Sequence, residues 1–352
     1  NQVQAEVSKP VTYADVWDFW LQHPEIAPAV DFITIHLLPY WEDQPHGIDQ
    51  ALQQVAKVRE QFGQQFAPKE VLIGESGWPS EGRQRETALS SRLNQALFIR
   101  GFVQMAEANG WRYNLIEAFD QPWKRISEGA VGGYWGLFDA DRQDKSILNG
   151  TVSNLPLWPL WLGFSALIAA VGLLLAGRPL NVSSALLLPI SAALSATCIV
   201  FLSELALISS RFTAEWLWAA LLLGLNLLVL AYAALLLGAP YGWRGRLWRW
   251  LDQRGSWWLL GSGFAGAVMM IQLVFDPRYR SFPSAALLFP ALFYLSRPVQ
   301  TAPREALVLA ALIALGVAPQ LYQEGWLNNY AWGWALTSLL LACALWRSAR
   351  KA

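Results

Sequence analysis

Two cysteines and three histidines in 352 residues leave this chain poorly equipped for redox or metal chemistry. Cys198 and Cys343 both lie in long apolar runs. They read as small buried side chains, not as a disulfide or part of a metal site. Metal-ligand spacing is absent throughout, so neither a metal nor another cofactor is implied. The chain has no nucleotide-binding loop and no transporter repeat. Residues 1–150 show no basic face with interleaved aromatics, which argues against a nucleic-acid partner. An initiating Met and a signal-peptide pattern are also missing, since the chain opens Asn1-Gln2-Val3.

The formal net charge is zero, but it hides a division. Residues 1–150 hold 13 Lys and Arg against 20 Asp and Glu, and the remainder holds 13 against 6. All three His fall in the first part. After Leu155-Pro156-Leu157, apolar runs of membrane length recur at 157–176, 184–208, 215–237, 256–275, 282–296, 305–321 and 329–346. The reading is a water-facing domain over 1–153 followed by an all-α polytopic membrane domain of about seven helices over 154–352. A lipid bilayer is thus an expected partner.

In the first part, apolar runs of two periods alternate. Strands are expected at 11–15, 31–38, 70–74 and 113–119. Helices are expected near 16–21, at 47–63 and at 84–109. The last of these would carry Leu89, Leu93, Leu97, Phe98, Phe102 and Met105 on one side, and Asn109-Gly110 would end it. Four strand–helix units argue for a parallel α/β architecture. A complete eight-unit barrel needs about 250 residues, and only about 150 are present.

Everything in this part is arranged around Val71-Leu72-Ile73-Gly74-Glu75-Ser76-Gly77-Trp78-Pro79-Ser80. An apolar run delivers one carboxylate, and Gly77 and Pro79 break the strand at once. A carboxylate at the C-terminal end of a barrel strand sits where barrel enzymes keep their chemistry. The string resembles the nucleophile signature of glycoside hydrolase family 17, the β-1,3-glucanase family. The resemblance covers roughly residues 9–142. It implies that the four units are strands five to eight of a TIM-type (β/α)8 barrel, with strands one to four upstream of Asn1. It also implies that Glu75 is the catalytic nucleophile. The family's acid/base Glu follows strand four, usually after an Asn, and no such pair precedes Val11. It is therefore expected upstream, and this chain alone is expected not to hydrolyse β-1,3-glucan.

Further residues carry over by resemblance. Phe119-Asp120-Gln121-Pro122-Trp123-Lys124 and Glu128 occupy a loop where family members hold a Lys and a Glu near the nucleophile. Lys124 and Glu128 are matched on that basis, and Asp120 more weakly. An ammonium near Glu75 would keep it ionised. Tyr134-Trp135-Gly136-Leu137-Phe138-Asp139 resembles the family's closing segment. Tyr40, Trp41, Trp78, Trp123 and Trp135 are candidates for stacking on glucose rings, and each could equally be barrel packing. His36 could bind substrate hydroxyls or be a satisfied core residue. Glu117 could point inward, in a structural or a catalytic ion pair.

Basic residues in the loops orient the membrane part. With the C-terminus inside, ten Lys and Arg lie inside, against Arg211, Arg278 and Arg280 outside. An odd number of spans then puts residues 1–155 outside. Glu204 is the ionisable residue deepest in an expected span, with Arg211 as its expected partner. The leading expectation is a bacterial inner-membrane protein with a periplasmic retaining glycosidase or transglycosylase domain. Its substrate would be a β-glucan oligosaccharide or polysaccharide, and a membrane glucan synthase is a candidate partner in periplasmic or cyclic β-glucan synthesis. The alternative is a membrane scaffold or export component that only binds glucan.

Overall fold

A computed structural model describes residues 2–351 and divides into two units, Asn1–Asn154 and Leu155–Ala352. In the first unit, α1 (Gln2–Glu6) leads to β1 (Ala14–Val16), α2 (Trp17–Gln22) and β2 (Ile33–Leu37). Then come α3 (Ile48–Gln65), β3 (Val71–Ser76), α4 (Arg92–Ala108), β4 (Arg112–Leu115) and α5 (Arg125–Glu128). The sheet is parallel throughout, in the order β1-β2-β3-β4. Each helix between strands packs back onto the sheet, as βα units require.

The apolar runs explain the packing. Ile33, Ile35 and Leu37 of β2 and Val71 and Ile73 of β3 are almost wholly buried. α3 supplies Ala51, Val55, Val58 and Phe62 at spacings of three and four. α4 begins only at Arg92, eight residues later than expected. Before it, Arg85 and Ala88 exchange backbone hydrogen bonds, and the Ser91 hydroxyl accepts from the Asn94 N–H at 3.1 Å as an N-cap. Its buried face is Gln95, Ala96, Phe98, Ile99, Phe102 and Ala106. Leu93 and Leu97 are 43% and 49% exposed, which separates them from Phe98 and Phe102, with which they were expected to share one side.

The fourth strand is also shorter than expected. Ile116 N–H still donates to Ser76 O of β3 at 2.9 Å, and from Glu117 the backbone pairs with the closing segment. Glu117 N–H donates to Trp135 O at 3.0 Å, Leu137 N–H to Glu117 O at 2.8 Å, and Asp120 N–H to Phe138 O at 3.0 Å.

The second unit is helical: α6 (Trp158–Ala176), α7 (Val182–Ser209), α8 (Thr213–Leu237), α9 (Trp243–Asp252), α10 (Gly255–Phe275), α11 (Ser284–Ser296), α12 (Pro303–Glu324) and α13 (Asn329–Ala349). All seven apolar runs are helices. Five of them, α6, α7, α8, α10 and α12, are long and apolar enough to cross a membrane. α11, with 13 residues, spans only about 20 Å. α9, rich in Trp and Arg, was not expected as a helix. Pro189, Pro290 and Pro319 sit inside helices, which a packed bundle tolerates. Arg211 binds Glu215 at 2.6 Å, not Glu204 as expected.

Candidate active site

The site is built on an irregularity between β2 and β3. Ile35 pairs with Ile73, but His36 pairs with Glu75, so Gly74 is an extra residue in β3. Such a bulge re-aims the next side chain. Gly74 is required there, because a Cβ would stand 2.4 Å from Thr34 Cγ2 and 3.3 Å from His36 Cδ2. The bulge turns the Glu75 carboxylate beside the His36 ring, with Nδ1 to Oε2 at 3.4 Å. The Glu75 side chain keeps 40% of its surface exposed, whereas Ser76 after it is buried and donates its hydroxyl to Leu37 O at 3.0 Å. One exposed carboxylate thus stands at the C-terminal end of a rigid buried strand.

The chain must then turn sharply. A Cβ on Gly77 would lie 2.4 Å from the Ile116 carbonyl oxygen, so the backbones of β3 and β4 touch just past the site. That closeness brings the loop after β4 to Glu75. Lys124 makes a close ion pair with Glu117, and both are largely shielded from solvent. Glu128 lies beside them. Burial pushes its carboxyl above the ordinary Glu value, Lys124 pulls it down, and the charges of Glu117 and Glu75 push it up again. Gly132 makes room for it, since a Cβ there would meet Glu128 Oε2 at 2.6 Å. Four of the charged residues weighed in the sequence, Glu75, Glu117, Lys124 and Glu128, therefore share one electrostatic neighbourhood.

The aromatic candidates separate by burial. Trp78 is wholly buried; its Nε1–H donates to Leu89 O at 3.0 Å and its ring packs on Phe98. Tyr40 is 1% exposed and donates its hydroxyl to Arg83 O at 2.7 Å, and Trp135 is 2% exposed. These three form one buried nest, which favours barrel packing over stacking, the two readings the sequence left open for them. Trp41 lies at the rim of the nest, half-buried, stacked on Trp135 and beside the Arg85 guanidinium. Trp123 is 64% exposed, and its Nε1–H donates to Gln121 Oε1 at 2.8 Å. Trp41 and Trp123 are the two that offer ring surface.

Asp120 is likewise turned into the interior. It is buried and accepts from Lys145 at 3.0 and 3.2 Å and from the Gly136 N–H at 2.8 Å. Lys145 also donates to the Ser80 hydroxyl at 2.9 Å. Burial pushes the Asp120 carboxyl up and the Lys145 ammonium down, and their attraction only partly offsets it. The pair fastens the loop after β4 to the closing segment, and the Lys145–Ser80 hydrogen bond ties in the segment after β3. Lys145 had no local signal in the sequence, because its partner is 25 residues away. Gly74 had one: a glycine inside an apolar strand, directly before the carboxylate.

Residues 1–136 match the family model described as the BtgE/BtgC glycoside hydrolase domain. Among curated relatives, the "probable family 17 glucosidase" SCW10 of Saccharomyces cerevisiae is 25% identical over 134 residues, covering 37% of this chain and 33% of that protein. A glucan 1,3-β-glucosidase of the same yeast is 27% identical over 154 residues, covering 40% and 48%. The chain thus spans about a third to a half of the length of these relatives. Among solved structures, the family 17 β-1,3-glucanosyltransferase of Rhizomucor miehei aligns with a TM-score of 0.38 at 26% identity, over 42% of this chain and 53% of that one. The match of residues 1–136 to a glycoside hydrolase domain model and the similarity to family 17 glucosidases both agree with the Glu-Ser-Gly-Trp-Pro-Ser string at Glu75, and together they support a family 17 glucanase or transglycosylase.

Proposed function

We propose that the protein is a membrane-anchored retaining enzyme acting on β-1,3-glucan, with Glu75 as its nucleophile. The observation that carries this is the Glu75 carboxylate itself. It is turned outward by the Gly74 bulge at a strand end, beside His36 and close enough to act on the Glu128 carboxyl, which also feels Lys124 and Glu117. In this reading Glu75 attacks the anomeric carbon, and the bond to the leaving sugar breaks as its oxygen takes a proton from a general acid. The glucosyl ester on Glu75 is then resolved by water, giving hydrolysis, or by a sugar hydroxyl, giving transglycosylation. Lys124 holds negative charge in place at this site. His36 contributes a donor for glucose hydroxyls, and Trp41 and Trp123 contribute apolar faces for the rings.

The curated relatives named as glucan 1,3-β-glucosidases support the substrate class. The five membrane-length helices support anchoring. The setting that fits both is a bacterial inner membrane with residues 1–153 on the periplasmic side and the C-terminus in the cytoplasm. There the enzyme would build or remodel periplasmic or cyclic β-glucan beside a membrane glucan synthase.

A 2-deoxy-2-fluoroglucoside with a dinitrophenolate leaving group tests the central point in the full-length protein. Such a leaving group departs without a proton, so labelling reads the nucleophile alone. A glucosyl adduct on the peptide carrying Glu75 is expected, and none in Glu75→Gln. Undiminished labelling of that variant removes Glu75 from the role.

A further inference from the structure

A cavity of about 510 Å³ lies where the C-terminal ends of α7 and α10 meet the N-terminal ends of α8 and α11. Its size is that of a small-molecule site, which typically measures about 300–1,000 Å³. The floor is apolar, formed by Leu202, Leu205, Trp218, Leu222, Met269 and Leu273. The mouth is charged, carrying Arg211, Glu215 and Arg280.

The two arginines differ in what they already bind. Arg211 is committed: its guanidinium meets Glu215 at 2.6 and 3.2 Å, and its own backbone N–H donates to Glu215 at 2.7 Å. Arg280 is not. Its nearest carboxylate oxygens stand at 3.8 Å on Glu215 and 3.4 Å on Asp276, too far or too poorly aligned for a good hydrogen bond. Its Nε is buried and has no acceptor among the described residues. A buried guanidinium donor without a partner is costly to leave so.

An apolar floor between membrane-length helices fits an acyl chain, and a guanidinium with unspent donors at the rim fits a phosphate. Glu215 and Asp276 balance the two arginines, so the rim suits a singly charged phosphodiester better than a multiply charged anion. We propose that this cavity binds a phospholipid of the surrounding bilayer, with an acyl chain on the apolar floor and the phosphate on Arg280. The site belongs to the helical unit alone and does not depend on the glucan reading.

The test uses the full-length protein in phosphatidylcholine nanodiscs, with added phosphatidylethanolamine bearing a diazirine on one acyl chain. Photolysis and peptide mapping should place adducts at Leu205, Trp218 and Met269. Arg280→Gln should lower them about tenfold, the loss of one charged hydrogen bond. A diacylglycerol with the same labelled chain should react as weakly with the unaltered protein. Ala219→Phe fills the cavity from its buried wall without altering the rim, and should suppress the adducts even if Arg280→Gln fails to fold. Excess inorganic phosphate should not compete, because it cannot use the floor. Adducts concentrated on the exposed residues Leu186, Leu217 and Phe275 would mean ordinary bilayer contact and overturn the site. Equal labelling by diacylglycerol, or full displacement by inorganic phosphate, would overturn the phospholipid as its ligand.

Discussion

At the residue scale, two carboxylates near the site, Asp120 and Glu128, are held in different ways. Asp120–Lys145 is a buried clamp with every oxygen and the ammonium engaged. Removing one partner of such a pair costs about 3–5 kcal/mol, because the other charge stays buried. Lys145→Met should therefore lower the melting temperature sharply, and adding Asp120→Asn should recover much of the loss. A single Lys145→Met variant as stable as the wild type would show that Asp120 is not held this way. Glu128, by contrast, is half-buried and poised. Its carboxyl is raised in the folded state, first by burial. It thus favours folding below the ordinary carboxylate range and loses that contribution as pH rises through its raised value. Lys124 is the one group that pulls it down. In Lys124→Met the Glu128 carboxyl should titrate at still higher pH in carboxyl-labelled NMR, and an unchanged titration would place Lys124 outside its field.

The element that decides the site is β3. Val71 and Ile73 fix it in the sheet, and Gly74 makes the extra turn that shows Glu75 to solvent. Gly74→Ala puts a methyl into Thr34 and His36, and such overpacking costs typically about 1–3 kcal/mol. The expected result is a stability loss of that order, together with slower labelling of Glu75 because its carboxylate is displaced from His36. Labelling at the wild-type rate would show that the bulge does not aim the nucleophile. Gly77→Ala should be worse, because the obstacle is the Ile116 backbone carbonyl, which cannot rotate away. Strand 3 was legible because an apolar run followed by Gly and Pro has few other readings. The start of α4 was not, since Leu89 and Leu93 fit a helical period that the Ser91 cap interrupts. Period alone could not tell the buried face of that helix from the exposed Leu93–Leu97 side.

On the scale of the whole molecule, α11 and α13 decide how many helices cross. α13 carries Thr337, Ser338 and Ser348, yet all three are buried against the bundle, and Asn328 caps its start. Polar residues facing protein do not prevent a helix from spanning. α11 is short, but Leu287, Phe289 and Tyr294 belong to the same core as the long helices. We therefore propose seven spans, with the C-terminus in the cytoplasm. Seven and five spans differ at two loops: the α11–α12 loop at Arg297 is cytoplasmic with seven and periplasmic with five, and the α12–α13 loop at Gly325 is periplasmic with seven and cytoplasmic with five, while the C-terminus is cytoplasmic in both. A topology reporter inserted at Gly325 should be active only on the periplasmic side. Cytoplasmic activity there would reduce the count to five, and a periplasmic C-terminus would reverse the whole orientation.

The sequence by itself determined where the apolar helices run, where the third strand lies, and that it delivers one carboxylate near its C-terminal end; the strand runs on to Ser76, two residues beyond its expected end. Those are properties of contiguous residues, carried by hydrophobic period and by Gly and Pro. Tertiary structure alone decided which aromatics are core and which are free, because Tyr40, Trp78 and Trp135 meet only when distant segments close. It also paired Lys145 with Asp120, Arg211 with Glu215 instead of Glu204, and Glu128 with the charges around Glu75. Charges choose partners by distance in space, and distance in space is set by how closely segments can approach, here at Gly74 against the Thr34 and His36 side chains and at Gly77 against the Ile116 backbone.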